Sequence, residues 1–516
     1  MSFHLPLYED LYVVSDLHLG GTKGSPIFRS GENLAALIKH LAYTYPTHGG
    51  QRALILNGDV IDSLAEVIDH YVASPNAAET MLADIMDHPD FGMVWSALAD
   101  FVSNKKHRLV ICIGNHDLEL AYPNVQEQIV MRLGGEENES IRGRIFFSTM
   151  GVGHLCRVGS VEKSARVLCV HGNEYDKWNA ISPENMARLV RSSCLGAESK
   201  IAEDPPNAGT HLVIDVMNKI KEKYPFVDLL KPEVETVFNI LLALDPATKK
   251  ELPNVLKLGA EAETQGALRV IRVLGESADE AAPASTAPPD WKPGGQFGAF
   301  LGEAPSSSNL LEEAWELSSS EMPTEDEQPD ELLGLWQSAR IKFKYWFNRI
   351  SKDRVEALRC ALLDWIGDDK TWNLDGPDKI CDELEKLEPD VDVVIAGHTH
   401  LRRQMEVPRQ APDAPIKTPS YLYLNTGTWA RLMKLDEALL ENPEDFLGFC
   451  ETLKKQSMEE LDKDRRLVQM HTVGVVRLNE TGKAVEAALC EKNNAKIEAP
   501  ELIKDVKDWQ EVEIHG

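Results

Sequence analysis

Four short apolar runs stand out in the first 175 residues: "LYVVSD", "ALILNGD", "RLVICIGNHD" and "ARVLCVHGN". Each is rich in Val, Ile and Leu, and each breaks into a polar cluster at its end. A run that is apolar on both faces reads as a strand buried between two layers, so these are expected to be sheet strands with functional groups at their carboxyl ends. Between the first two, Leu34, Leu37, Ile38, Leu41 and Tyr45 recur at helical spacing behind Ser30 and Gly31, a suitable helix start. The rhythm is strand, helix, strand. In open α/β sheets of this kind, ligands gather outside the carboxyl ends of the strands, where the polar clusters fall.

That rhythm then stops. From Ser182 to about Leu274 the spacing is mainly helical, as in "AGTHLVIDVMNKIKEKY" and "EVETVFNILLALDP". Residues 276–330 hold seven prolines among Ser, Ala and acidic residues, a composition that buries too little apolar area to offset chain entropy, and a flexible linker is expected there. Helical patterning resumes from Leu332 to Leu387, and strands return in "VDVVIAGHTH" and "YLYLNTGTW". Near the end, "HTVGVVRLN" and "AVEAALCEK" flank the turn "NETGK" as a strand pair. The expected organisation is an α/β core made of residues 1–181 and 391–516, split by a mainly helical insertion over 182–390. Within the insertion, Trp336, Phe343, Phe347 and Ile350 recur at helical spacing among Arg340, Lys342, Lys344, Arg349, Lys352 and Arg354. An amphipathic helix packed on the core is the simplest reading; a substrate lid or a membrane-surface helix is the alternative.

Charge and cysteine usage narrow the function classes. The net charge of −29 is concentrated in 276–330, with thirteen acidic residues against the single Lys292, but the remainder is acidic too. Long nucleic acid is held largely by Lys and Arg on phosphates, so this balance disfavours it without forbidding a local basic groove. The eight cysteines lie far apart with no C-x-x-C pair, as expected of buried free thiols in a reducing cytoplasm. No basic and apolar leader precedes Asp10, and no apolar stretch is long enough to span a bilayer. Oligomeric state has no signature in the sequence.

Five clusters carry the chemistry: Asp16 and His18 in "SDLH", Asp59 in "NGDVID", Asn115 and His116 in "GNHD", His171 in "VHGN", and His398 with His400 in "GHTH". Together they offer carboxylate, amide and imidazole donors. Such a mixed set suits first-row divalent ions, Mn²⁺ foremost with Fe, Ni or Zn as alternatives, better than Ca²⁺. One-residue gaps in Asp16-x-His18 and His398-x-His400 would let both members face one site if the chain is extended there. Asp59, on a central strand, is the natural carboxylate to bridge two ions. Gly58, Gly114 and Gly397, each just before a donor, would allow close backbone approach.

The ordered series D-x-H, G-D-x-x-D, G-N-H-D, H-G and G-H-T-H resembles the calcineurin-like metallophosphoesterase superfamily over residues 11–176 and 391–429. The resemblance implies a two-sheet sandwich flanked by helices. It implies one metal on Asp16, His18, Asp59 and His400, and a second on Asp59, Asn115, His171 and His398. It also implies that His116 contacts the phosphate and protonates the leaving oxygen, with Asp117 orienting it, while a bridging hydroxide attacks phosphorus. Asp62 and Asp176 are expected to be supporting or capping groups rather than ligands.

Within the superfamily, "SDLHLGG", "HGNEYD" and "NTGTW" are most similar to the UDP-2,3-diacylglucosamine pyrophosphohydrolase branch, although this chain is much longer. The expected substrate is therefore a phosphoester or pyrophosphate, nucleotide-linked or lipid-linked. A nuclease is the first alternative, a protein phosphatase or a non-enzymatic scaffold the lesser ones. Arg402 and Arg403 are candidates for a phosphate fork, or a solvated surface pair. Trp429 and Arg431 are candidates to stack on or pair with a leaving group; for Trp429 the alternative is a core position.

Overall fold

The computed structural model describes residues 5–22, 26–66, 70–136, 138–196, 206–221, 224–230, 258, 359, 377–387, 390–408, 420–433, 437–455, 467–492 and 509–511. The acidic stretch 276–330, the segment "EVETVFNILLALDP" and the basic aromatic segment around Phe343 lie outside the described residues.

Apart from a two-stranded sheet of Arg431–Met433 and Leu467–Gln469, the strands among the described residues are β1 (Leu7–Tyr8), β2 (Asp10–Val14), β3 (Arg52–Asn57), β4 (His107–Cys112), β5 (Ile145–Ser148), β6 (His154–Gly159), β7 (Ser164–Cys169), β8 (Val393–Ala396), β9 (Arg403–Pro408), β10 (Ser420–Asn425), β11 (Thr472–Leu478), β12 (Val485–Lys492) and β13 (Trp509–Glu511). They form a six-stranded sheet ordered β1-β6-β7-β8-β10-β9 and a seven-stranded sheet ordered β13-β12-β11-β2-β3-β4-β5. Both are mixed: β2, β3, β4 and β5 run parallel, whereas β11 joins β2 antiparallel, with Val475 opposite Tyr12. The C-terminal hairpin β11–β12 pairs Val475 with Ala488, as the turn "NETGK" leads one to expect.

The unbroken apolar character of the strands has a direct structural cause. Leu11 and Val13, Ala53 and Ile55, and Val110 and Cys112 enter one buried cluster with residues of the other sheet, among them Val158, Val167, Val393 and Ile395. Their neighbours Tyr12 and Val14, Leu54 and Leu56, and Leu109 and Ile111 turn to the opposite face and pack with the helices. One face of the seven-stranded sheet thus meets the second sheet and the other meets α1 (Gly31–Tyr43), α2 (Pro75–Asp87) and α3 (Gly92–Ser103). In α1, Leu34, Leu37, Ile38 and Leu41 supply the buried stripe. Tyr45 does not extend it: the helix stops at Tyr43 before Pro46, and Tyr45 is exposed.

The chain divides into two compact units, residues 1–206 with 373–431 and 469–516, and residues 207–372 with 432–468. The first holds the two sheets and the helix Lys379–Leu387. In the second, the helix Pro443–Lys455 buries Phe446, Phe449, Cys450 and Leu453, the spacing of one helical face. The cysteines described are unbridged, and Cys194 departs from the expectation of burial because it ends a helix on the surface.

Candidate metal centre

Each proposed donor lies just past a strand end: Asp16 after β2, Asp59 after β3, Asn115 after β4, His171 after β7, and His398 and His400 after β8. The local backbone is unusual. Asp16, His18, Asp59, His398 and His400 have φ of 51°, 51°, 49°, 66° and 62°, and they are the non-glycine residues with positive φ among those described. Left-handed backbone costs a non-glycine residue about 1–3 kcal/mol and persists where surrounding contacts over-determine it. Those contacts are present. Asp16 N–H donates to Gly58 O (3.1 Å) and His18 N–H to Asp59 O (2.9 Å), while the carboxylates of Asp16 and Asp59 accept from His398 N–H (3.0 Å) and His116 N–H (2.9 Å). The one-residue gaps therefore work through paired left-handed turns rather than through strand alternation. Leu17, between Asp16 and His18, is fully buried in the core.

Two groups of donors share Asp59: Asp16, His18, Asp59 and His400, and Asp59, His171 and His398. His18 Nε2 lies 3.1 Å from His400 Nε2, which lies 3.3 Å from Asp16 Oδ1; His171 Nε2 is 3.1 Å from Asp59 Oδ2. Asp16, His18, Asp59 and His171 are buried to within 2% of full enclosure. The His171 Nδ1–H donates to Asn57 O at 2.9 Å, which turns Nε2 toward Asp59. Burial opposes charge on His171, Asp16 and Asp59, but there the opposite charges dominate, whereas burial prevails at His398 and lowers its pKa. His171 is raised to about 10 by Asp59 and Asp16, Asp16 is lowered to about 2 by His171 and His400, and Asp59 is held well below the carboxylate range by His171 and His116. Asn115 Oδ1 is buried with no hydrogen-bond partner among the described residues. A convergent oxygen and imidazole set with an orphaned amide oxygen at its edge fits divalent cations.

His116 borders this shell, its ring edge-on to His18 with centroids 4.8 Å apart; 22% of its side chain is exposed, and its Nδ1 meets Asp62 Oδ1 at 3.0 Å. This corrects the role expected for Asp117, whose carboxylate is consumed by Gly114 N–H (2.6 Å) and Val60 N–H (2.8 Å). Asp117 braces the loop, and burial followed by the nearby Asp59 charge raises its carboxyl to about 7. Asp62 also caps the short helix Ser63–Ala65 and lies 3.4 Å from His18 Nδ1, so it serves both rings. Burial would raise its carboxyl, but His116 and His18 hold it well below the usual range.

The substrate-binding expectations for Arg402, Arg403, Trp429 and Arg431 are redirected. Arg403 is buried against Asp378 (3.5 Å), and Arg402 pairs with Glu491 (3.2 Å). Trp429 is fully buried with Nε1–H on Thr472 O (2.8 Å), and Arg431 is buried with Nη2 on Pro26 O (2.8 Å). "NTGTW" acts instead as a brace: Thr428 Oγ1–H donates to Asp16 O at 2.6 Å, and Ser15 Oγ meets Thr426 Oγ1 at 2.6 Å. The sequence reading missed Asp378, which accepts from Tyr423 OH (2.9 Å), Asn425 Nδ2 (3.1 Å) and Cys381 N–H (2.9 Å) and so docks the helix Lys379–Leu387 beside "GHTH". Asp176, expected as a supporting or capping group, places Oδ2 2.9 Å from His398 Nε2. The local signals were the G-D-x-x-D spacing for Asp62 and "HGNEYD" for Asp176; Asp378 had none.

A two-sheet α/β sandwich with a buried aspartate–histidine cluster at its strand ends fits a metal-dependent phosphoesterase. Residues 10–218 match the family model for calcineurin-like phosphoesterases, which supports the superfamily and marks the protein as a hydrolase acting on phosphoester bonds. The matched span carries the donors from Asp16 to His171, and the fold brings His398 and His400 to them. No curated protein matches the chain. No helix among the described residues is long and apolar enough to cross a membrane.

Proposed function

We propose that the protein is a dinuclear, metal-dependent phosphohydrolase acting on a phosphoester or pyrophosphate whose leaving group is nucleotide-linked or lipid-linked. The observation that carries this reading is the pair of donor groups that overlap at Asp59. Asp16, His18, Asp59 and His400 would hold one divalent ion and Asp59, Asn115, His171 and His398 the other, with Mn²⁺ favoured by the mixed oxygen and nitrogen set. Two such ions supply an activated water and stabilisation of charge on the phosphoryl group. The chain supplies the rest. Its left-handed turns fix the donors in advance, and buried walls at Asp16, Asp59 and His171 exclude bulk water. His116, partly exposed and oriented through Nδ1 by Asp62, presents Nε2 as the proton donor to the leaving oxygen. The "SDLHLGG", "HGNEYD" and "NTGTW" motifs favour a UDP-linked lipid pyrophosphate as the first substrate to assay.

Metal analysis together with hydrolysis of bis(p-nitrophenyl) phosphate tests the reading. Two equivalents of bound divalent ion and metal-dependent turnover are expected, with both ions weakened in Asp59→Asn. Two fully bound ions in Asp59→Asn would reject the shared carboxylate.

A further inference from the structure

The four cationic or aromatic residues nominated by the sequence for substrate contact are turned into the core or paired elsewhere, which leaves the negative charge of a substrate without a protein partner from that set. A different cation stands at the site. Lys379, the first residue of the helix Lys379–Leu387, places Nζ 2.6 Å from Asp176 Oδ2. The same oxygen accepts from His398 Nε2 (2.9 Å) and Asn179 Nδ2 (2.7 Å), while Asp176 Oδ1 accepts from Trp178 N–H (3.2 Å). Asp176 is itself buried, with 5% of its side chain exposed, whereas Lys379 keeps 35% exposed. The ammonium is thus the more exposed partner of a buried carboxylate that itself contacts a candidate metal donor, His398.

Hydrogen bonds connect Lys379 to the donor set. Asn179 Oδ1 lies 3.5 Å from Asn115 Nδ2, and Asn115 is followed by His116, whose side chain is 22% exposed. A hydrogen-bonded series thus runs from Asn115 through Asn179 and Asp176 to Lys379, and His116 follows Asn115 in the chain. The metal-donor side chains of His18, His171, His398 and His400 are at most 8% exposed, against 22% for His116 and 35% for Lys379. An ammonium has three donors, and the Asp176 contact uses one of them, on a side chain that keeps 35% exposed. The position is fixed rather than fortuitous. Asp378 locks the preceding turn to Tyr423, Asn425 and Cys381, and the Ile380 side chain packs where Gly172 has no Cβ to obstruct it.

We propose that Lys379 is a specificity-determining residue that binds negative charge carried by the substrate beyond the single charge of a phosphodiester, so that the site favours dianionic phosphomonoesters and pyrophosphates over simple diesters. Asp176 is the positioning residue that holds it there. This rests on the phosphohydrolase reading, and the experiment separates the two.

Manganese-loaded wild-type protein, Lys379→Gln and Lys379→Arg are compared on p-nitrophenyl phosphate, which is dianionic, and on bis(p-nitrophenyl) phosphate, which is monoanionic. Loss of a hydrogen bond to a charged group predicts that Lys379→Gln raises KM for the monoester by about 10–100-fold while changing the diester by no more than about 3-fold. Lys379→Arg should restore most of the preference, and bound metal should be unchanged in both variants. An equal loss on both esters, or a loss of bound metal, would assign Lys379 a structural role through Asp176 and His398 and overturn the inference. An unaltered monoester-to-diester ratio overturns it as well. If wild-type protein hydrolyses neither ester, the phosphohydrolase reading itself falls.

Discussion

His116 and Asp62 show how division of labour is set by single atoms. The ring of His116 is held through Nδ1 by a carboxylate that is firmly ionised, and the proposed proton donor is its other nitrogen, Nε2. His116→Gln is expected to retain bound metal but to slow esters with poor leaving groups by about 10²–10⁴, the usual worth of general acid catalysis, with activated aryl esters suffering less. Equal losses on both classes of ester would count against proton donation. Asp62→Asn should mimic the leaving-group dependence more weakly, because the ring stays in place but its charged form loses support. Asp16, His18, Asp59 and His116 were legible in the sequence because each breaks an apolar run. The pairing of His116 with Asp62 instead of Asp117 was not, since both carboxylates lie within a few residues of a donor and only the backbone N–H groups of Gly114 and Val60 decide which one is already committed.

At the scale of elements, the strands were readable because burial on both faces leaves no polar alternation, and α1 because its buried stripe repeats at helical spacing. The left-handed turns that follow β2, β3 and β8 were invisible: their residues are Asp and His, chosen for chemistry against backbone preference. Lys379 and Asp378 were equally hidden, because a helix at the end of a long helical stretch gives no local sign that its first turn docks beside strand ends some 200 residues away from Asp176. The glycines gave a truer signal. A Cβ on Gly114 would fall 2.1 Å from Asp59 Oδ1, so Gly114→Ala must displace either the β4 loop or the shared carboxylate. Displacements of about 1 Å cost on the order of 10²-fold in rate. Gly114→Ala is therefore expected to lose about 100-fold in metal-dependent hydrolysis and to bind metal less tightly while far-ultraviolet circular dichroism stays unchanged. Normal metal affinity in a folded Gly114→Ala protein would refute the close-approach argument.

For the whole molecule, acidification acts in opposing directions. With a net charge of −29, protonating carboxylates relieves self-repulsion and favours the compact state. His107 works against that. It opens β4 fully buried, stacks on Phe101 of α3 with ring centroids 4.6 Å apart, and places Nδ1 3.1 Å from Phe101 O. Burial, followed by the Arg52 charge, lowers its pKa to about 4 from an ordinary 6.5. Above pH 6.5 the ring is neutral in both folded and unfolded chains and contributes no pH dependence. Between 6.5 and 4 the unfolded chain takes up a proton that the folded one refuses, so stability falls as pH falls and levels off below 4. The full loss is about 3 kcal/mol. His107→Phe keeps the stacked ring without the titration, and its urea midpoint should drop less than that of wild type between pH 7 and pH 4.5. The signature is a wild-type-minus-variant difference that changes with pH only in this window. A difference constant from pH 7 to pH 4.5 would show that His107 is not the group through which the core senses acid.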